Sequence, residues 1–265
     1  MNTISISITV SGEAQEILIS DLEDLGSIGF EQKEEVLIAY FPELNFNSYE
    51  VNSLLQGYQF VSTIIHEQNW NALWESNFPP VAIERFCYVR AGFHPPDQGY
   101  THEILITPKM SFGTGHHATT YMMIRQMKDL DLGNKQVFDF GTGTGILAIL
   151  AEKMGAATVE AIDIDEWSIC NAVENGDKNQ CSKIRFEKTT VLPAMKFDVV
   201  LANINRNVIL DYLEDLVALL NPGSIILFSG LMISDEQEIM QAFTGKLKLL
   251  KREEKDNWIA LCCSA

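Results

Sequence analysis

One stretch of the chain constrains its fold more than any other: residues 137–146, which read VFDFGTGTGI. Strand-forming apolar residues lead directly into glycines at three alternate positions, and a helical pattern follows at once. A buried strand, a tight turn and a helix in immediate succession are typical of an α/β sheet. The glycines would let a ligand approach the backbone, and the start of the helix would offer unpaired N–H groups.

Strands and helices alternate from residue 104 to the end of the chain. The periodicity predicts helices near 117–129, 145–154, 166–175, 207–219 and 235–243. It predicts strands near 136–140, 158–162, 183–187, 197–202 and 224–229. Two further strands, near 246–252 and 257–263, close the chain and are expected to form an antiparallel edge. We therefore predict a doubly wound, mostly parallel α/β domain over residues 104–265.

The first quarter of the chain has a different pattern. Residues 1–66 predict strands near 3–10, 28–32, 36–41 and 59–66, with helices near 13–25 and 48–56. This β-α-β-β-α-β order predicts a small ferredoxin-like α+β domain. Residues 67–103 contain Trp70, Trp74 and two pairs of prolines, and are expected to be a connector with a short helix.

Composition excludes several classes of protein. The chain of 265 residues is 46% hydrophobic and 21% charged, which is ordinary globular usage. Its net charge of −17 disfavours direct contact with nucleic acid. No apolar run approaches a membrane span, the N-terminus lacks the basic start of a signal peptide, and the five cysteines include no C-x-x-C pair. We expect a cytoplasmic monomer with no metal and no membrane contact.

Acidic residues lie at the ends of the first two strands of the predicted α/β domain, near the glycine turn. Asp163 ends the second strand, 22 residues after Gly141, where a carboxylate can accept both ribose hydroxyls of an adenosine. Ile146 stands where a dinucleotide fingerprint requires a small residue, and Asp139 beside the turn suits a positively charged ligand. Asp165 is more simply the N-cap of the next helix.

Two further segments are predicted to reach the same edge of the sheet. The strand FDVVLAN ends in Asn203, which we expect to act in the site, whereas Asn205 fits the N-cap of the following helix. Residues 111–120, SFGTGHHATT, form a second glycine-rich loop that could fold over this edge. His116 and His117 in it have no zinc-ligand spacing around them.

These motifs together resemble the ribosomal protein methyltransferase family PrmA, which modifies protein eleven of the large ribosomal subunit. The resemblance is carried by FGTGHHATT, DFGTGTGILAI, AIDID, VVLANI and the later LLNPGS and FSG, and is close over residues 104–245. Trp70, Trp74, Phe78 and Pro79 resemble the aromatic and proline residues of the family's connector. Residues 1–66 correspond to its substrate-recognition domain.

The resemblance implies a class I S-adenosylmethionine-dependent methyltransferase fold and methylation of α-amines and lysine ε-amines. S-adenosyl-L-methionine is the implied cofactor, and its binding residues map onto Thr120, Gly141, Asp163 and Asn203, with Gly143 beside its methionine part. Asn203 would also position the acceptor amine. Residues 1–66 carry ten acids against one base, Lys33, which suits a basic ribosomal protein partner as well as a merely solvated surface.

Two alternatives remain open at the level of sequence. One is an amino-group methyltransferase that acts on another protein or on nucleic acid. Such enzymes commonly carry N-P-P-Y after the fourth strand, whereas this chain has Asn203-Ile204-Asn205-Arg206. The other is a non-catalytic module that binds adenosine ligands, against which the intact Gly141, Asp163 and Asn203 argue.

Overall fold

The chain divides into two compact units, residues 1–78 and 79–265. The structure is a computed structural model that describes residues 2–66 and 75–265. Trp70, Trp74 and the rest of residues 67–74 of the predicted connector lie outside the described residues. None of the helices in the described part of the chain combines the length and hydropathy that a membrane span requires.

The first unit is a four-stranded antiparallel sheet with helices packed on it. Its elements are β1 Thr3–Thr9, α1 Glu13–Asp24, β2 Gly29–Lys33, β3 Val36–Pro42, α2 Ser48–Leu54 and β4 Gln59–Ile65. The strand order β2-β3-β1-β4 confirms the predicted ferredoxin-like arrangement. Alternate residues of β1, including Ile6 and Ile8, are fully buried and share a core with Leu18 and Leu22 of α1.

The second unit is built on a seven-stranded sheet. Its strands are β8 Gln136–Phe140, β9 Thr158–Asp163, β10 Ile184–Lys188, β11 Phe197–Asn203, β12 Leu220–Met232, β13 Lys248–Lys255 and β14 Trp258–Ser264. Its helices are α3 Ala118–Met127, α4 Ile146–Lys153, α5 Glu166–Lys178, α6 Arg206–Ala218 and α7 Glu236–Phe243. The strand order is β10-β9-β8-β11-β12-β14-β13. The first five strands are parallel and β14 is antiparallel to both neighbours, which confirms the doubly wound sheet with an antiparallel edge.

Both faces of this sheet are covered. Val137 of β8 belongs to a core with α3 and α4, whereas the next residue, Phe138, belongs to a core with α6 and α7 on the other face. Because the central strands are buried on both faces, they are almost continuously apolar rather than alternating. The carboxyl ends of β8, β9 and β11 therefore meet at one edge, which is where open α/β sheets bind ligands.

A small sheet precedes the large one within the second unit. Its strands are β5 Val81–Ile83, β6 Cys87–Arg90 and β7 His102–Leu105. Ile83, Val89 and Ile104 from this sheet are buried in the same core as α3 and α4. The sequence predicts no strands here, since runs of three or four residues among prolines are too short to show a period.

Candidate active site

A cleft lies at the carboxyl ends of β8, β9 and β11. It has a volume of about 340 Å³ and a mostly apolar wall, as expected of a pocket for a small ligand. Gly141, Gly143, Asp163 and Asn203 all line it. Thr120 does not line the cleft, but its hydroxyl accepts a hydrogen bond from Asn203.

The glycine turn, residues 141–145, uses all of its own backbone donors. The N–H groups of residues 141 to 145 donate, in order, to Ile162 O, Ile162 O, Asp163 Oδ2, Phe112 O and Thr142 O, at 2.9–3.0 Å. The turn itself therefore keeps none of these five N–H groups for a ligand. These N–H groups are already paired because the segments around Phe112 and around Ile162 and Asp163 pack against the turn. Of the N–H groups at the start of α4, where unpaired donors were predicted, that of Ala148 is taken by Asp139.

Two glycines of this turn are required by close approach of those loops. A Cβ on Gly141, which has φ 77°, would lie 2.4 Å from Cγ2 of Ile204. A Cβ on Gly143, which has φ 56°, would lie 2.3 Å from the carbonyl oxygen of Phe112. Either contact is far inside van der Waals distance, so both positions need glycine for the cleft to have its shape.

Asp163 is held in the cleft wall by backbone hydrogen bonds. Its Oδ2 accepts from Gly143 N–H at 2.9 Å and its Oδ1 accepts from Asp165 N–H at 3.0 Å. A carboxylate oxygen has two lone pairs, so each oxygen keeps one for a ligand hydroxyl. Asp165 itself caps α5 by accepting from Ser168 N–H, as predicted.

Asp139 lies beneath the glycine turn rather than in the cleft. Its side chain is 1% exposed, and Oδ2 accepts from the Thr142 hydroxyl at 2.6 Å. Burial raises the pKa of Asp139 to about 7, although hydrogen bonds from Thr142 and from Ala148 N–H oppose the shift. Asp139 therefore fixes the turn and the first turn of α4.

Asn203 ends β11 with one half of its amide satisfied. Nδ2 donates to Thr120 Oγ1 at 3.3 Å, which fixes the orientation of the side chain. Oδ1 is buried and has no hydrogen-bond partner within the described residues. An unsatisfied buried acceptor costs about 1–3 kcal/mol, so this oxygen is suited to receive an N–H group from a bound molecule. Asn205 caps α6, as predicted, by accepting from Val208 N–H.

The loop of residues 111–117 does fold over this edge of the sheet. Thr144, which the sequence analysis does not single out, donates its N–H to Phe112 O at 2.9 Å and its hydroxyl to Gly113 O at 2.6 Å. In the sequence, nothing but the position of Thr144 between Gly143 and Gly145 indicates that it holds this loop. His117 caps α3, and His116 bonds to the Pro79 carbonyl oxygen, so both histidines have structural partners.

The sheet order, the glycine turn after β8, the acid ending β9 and the amide ending β11 define an S-adenosylmethionine-dependent methyltransferase. Residues 5–265 match the family described as ribosomal protein L11 methyltransferase (PrmA). The chain belongs to this family.

Individual relatives agree with this assignment. A protein named ribosomal protein L11 methyltransferase from Porphyromonas gingivalis is 39% identical over 260 residues, covering 94% of this chain and 90% of the relative. A protein of the same name from Chlorobaculum tepidum is 34% identical over 276 residues, covering 98% and 95%. The crystal structure of ribosomal protein L11 methylase from Lactobacillus delbrueckii subsp. bulgaricus matches 71% of this chain and 98% of its own, with 30% identity and a TM-score of 0.66.

Proposed function

We propose that the protein transfers methyl groups from S-adenosylmethionine to amino groups of ribosomal protein L11, namely its α-amine and lysine ε-amines. The observation that carries this proposal is the buried Oδ1 of Asn203 at the cleft wall, which has no hydrogen-bond partner in the described part of the chain. An acceptor amine must lose a proton before it is methylated, and an N–H that it keeps can donate to this oxygen. Its lone pair is then held in one direction.

The cleft residues fit the cofactor. Asp163 keeps a free lone pair on each oxygen for the two ribose hydroxyls, and Gly141 and Gly143 shape the wall beside the methionine part. Thr120 acts through Asn203, whose amide it orients. When bound, S-adenosylmethionine supplies a methyl group already activated by its sulfonium. The protein's task is to align the acceptor amine and to exclude water from it.

The acceptor amine must be neutral to react. A lysine amine with a pKa near 10.4 requires roughly 4.6 kcal/mol to be held neutral at pH 7. The apolar wall of the cleft, to which Phe112, Phe140 and Ile204 contribute, disfavours the charged ammonium and so supplies part of this free energy. No side chain of the cleft is needed as a strong base in this scheme.

The first unit is proposed to recognise the substrate. Five of the ten acids of residues 1–66 lie on α1, and its last turn has no basic residue. A basic ribosomal protein would be attracted to such a surface, which raises the rate of encounter. We place this reaction in the cytoplasm, because its proposed substrate is a ribosomal protein, and we propose that the enzyme acts as a monomer.

Labelled S-adenosylmethionine tests the proposal directly. The protein is incubated with it and with purified large-subunit ribosomal proteins, and separately with ribosomal RNA. Label is expected in ribosomal protein L11 alone, and acid hydrolysis should return methylated lysine together with a methylated N-terminal amine. Label in RNA, or in another ribosomal protein instead of L11, would refute the proposed substrate.

A further inference from the structure

Three asparagines lie at intervals of four residues, here called the asparagine ladder: Asn171 and Asn175 on α5, and Asn179 at its C-cap. Asn179 accepts Leu105 N–H at 2.9 Å and donates to Leu105 O at 2.7 Å. Two residues on, Thr107 N–H donates to Asn175 Oδ1 at 2.8 Å, and Asn171 Nδ2 donates to Thr107 O at 3.3 Å. The backbone after β7 thus pairs with side chains of a helix as it would with a neighbouring strand.

Asn175 alone among the three also reaches the glycine turn. It is fully buried, and its Nδ2 donates to Thr144 O at 2.9 Å as well as to Asn171 Oδ1 at 2.7 Å. One amide therefore joins Thr107 to the residue that precedes α4 by two positions. The side chain of Asn179, by contrast, bonds within the described residues only to Leu105 and to the carbonyl of Asn175.

Thr107 begins a segment whose other end also bonds to Thr144. This segment, residues 107–113, is called the cleft loop; Phe112 and Gly113 at its far end line the cleft. Thr144 holds these two residues through its N–H and its hydroxyl. Between the two anchored ends, Met110 is fully exposed and Lys109 pairs with Glu174 of α5. Both ends of the cleft loop are thus fixed relative to Thr144, one of them through Asn175.

We propose that Asn175 is a positioning residue for the cofactor cleft, holding the cleft loop in register with the glycine turn so that Phe112 and Gly113 form its wall. The inference rests on the proposed function, because the wall it sets is the wall for S-adenosylmethionine. Loss of the Asn175 amide frees Thr107 N–H and Thr144 O together. The loop then moves relative to the turn, and the wall no longer matches the cofactor.

Asn175→Ala is compared with Asn179→Ala, which removes a ladder amide of the same kind that does not touch Thr144. Calorimetry with S-adenosylmethionine is expected to give about tenfold weaker binding for Asn175→Ala and less than about twofold weaker binding for Asn179→Ala. With L11 as substrate, Asn175→Ala should raise KM for the cofactor while kcat stays within about twofold, since Asn175 touches no substrate. Backbone amide exchange of residues 107–113 should be faster in Asn175→Ala than in Asn179→Ala.

A purely structural role would lower the unfolding temperature of both variants without separating their cofactor affinities, and that result would overturn the inference. If Asn175→Ala does not fold, Asn175→Leu keeps the side-chain volume without a buried charge and loses both the acceptor for Thr107 N–H and the donor to Thr144 O, and the same loss of affinity is expected. Wild-type protein that binds no S-adenosylmethionine would refute the proposed function. Amide exchange of residues 107–113 would still decide whether Asn175 holds the cleft loop.

Discussion

Replacing Asp163 by alanine should weaken cofactor binding in a way that the geometry of its carboxylate makes calculable. Each oxygen already accepts one backbone N–H, so the two remaining lone pairs are available for two ribose hydroxyls. A hydrogen bond to a charged group contributes about 1.5–3 kcal/mol. Asp163 is only half-buried, so water replaces part of what is lost. We expect a net loss of about 1.5–3 kcal/mol, a factor of about 10 to 150 in Kd.

Isothermal titration of S-adenosylmethionine into wild-type protein, Asp163→Ala and Asp165→Asn measures this loss. Asp165→Asn is the matched control, because it removes the same charge two residues away. Asparagine is as good an N-cap as aspartate, so α5 should keep its first turn. The control should therefore bind the cofactor within about twofold of wild type, which separates direct contact with the ribose from long-range attraction.

Equal affinity in wild-type protein and Asp163→Ala would refute the assignment of the ribose to this carboxylate. Equal losses in Asp163→Ala and Asp165→Asn would refute the contact and leave only the field of a negative charge. Melting temperatures of all three proteins are needed beside the titrations. Asp163→Ala also leaves Gly143 N–H without its acceptor and is expected to lower stability.

Other changes have equally definite outcomes. Asn203→Ala should lower the methylation rate more than it weakens cofactor binding, and equal losses in kinetics and calorimetry would mean that Asn203 only holds the cofactor. Because burial raises the pKa of Asp139 to about 7, its stabilising contribution is present below about pH 4 and lost as pH rises towards 7; urea unfolding should show Asp139→Asn gaining on wild type across that interval, and a constant difference would contradict this. A chain that starts at Pro79 should bind S-adenosylmethionine but lose methylation of L11, and undiminished methylation would remove the recognition role of the first unit. In the full-length enzyme the association rate with L11 should fall as salt rises in stopped-flow measurements, since exposed charges are screened over ~8 Å at physiological ionic strength; a salt-independent rate would reduce the acidity of residues 1–66 to a solubility feature.

The best place to truncate the chain differs between the sequence-based prediction and the structure. Read as a connector, residues 67–103 suggest a cut near residue 100. That cut would remove β5 and β6, whose Ile83 and Val89 are buried in the core shared with α3 and α4. Short strands that complete a core built by distant residues leave little local pattern, because their partners lie elsewhere in the chain.

Positions that depend on one strand ending at one edge were predictable. Gly141, Asp163 and Asn203 each come at the end of a largely apolar strand, and parallel strands bring such ends together. Their caps were equally local, since Asp165 and Asn205 each precede a helical pattern. Residue type and distance along the chain were enough for all five.

Features that depend on contact between two segments far apart in the chain were not predictable from the sequence. β12 begins at Leu220, whereas Pro222 and Gly223 predict a start after them; pairing of Leu220 with Phe197 across an irregular register extends the strand. The paired donors of the glycine turn depend on Phe112 and Asp163, which lie 20 or more residues away. A turn read by itself shows its donors but not the acceptors that reach them.

The paired N–H groups of the glycine turn affect how well adenosine phosphates can compete with S-adenosylmethionine for the cleft. Adenosine phosphates carry the same ribose that Asp163 is placed to hold, and they differ from S-adenosylmethionine in needing amide donors for their phosphates. All five N–H groups of residues 141–145 are already donated within the protein. A nucleotide that entered the cleft would find no free donor for its phosphates among these five amides. The hydrogen bonds that hold the turn thus weigh against phosphate binding at the turn itself.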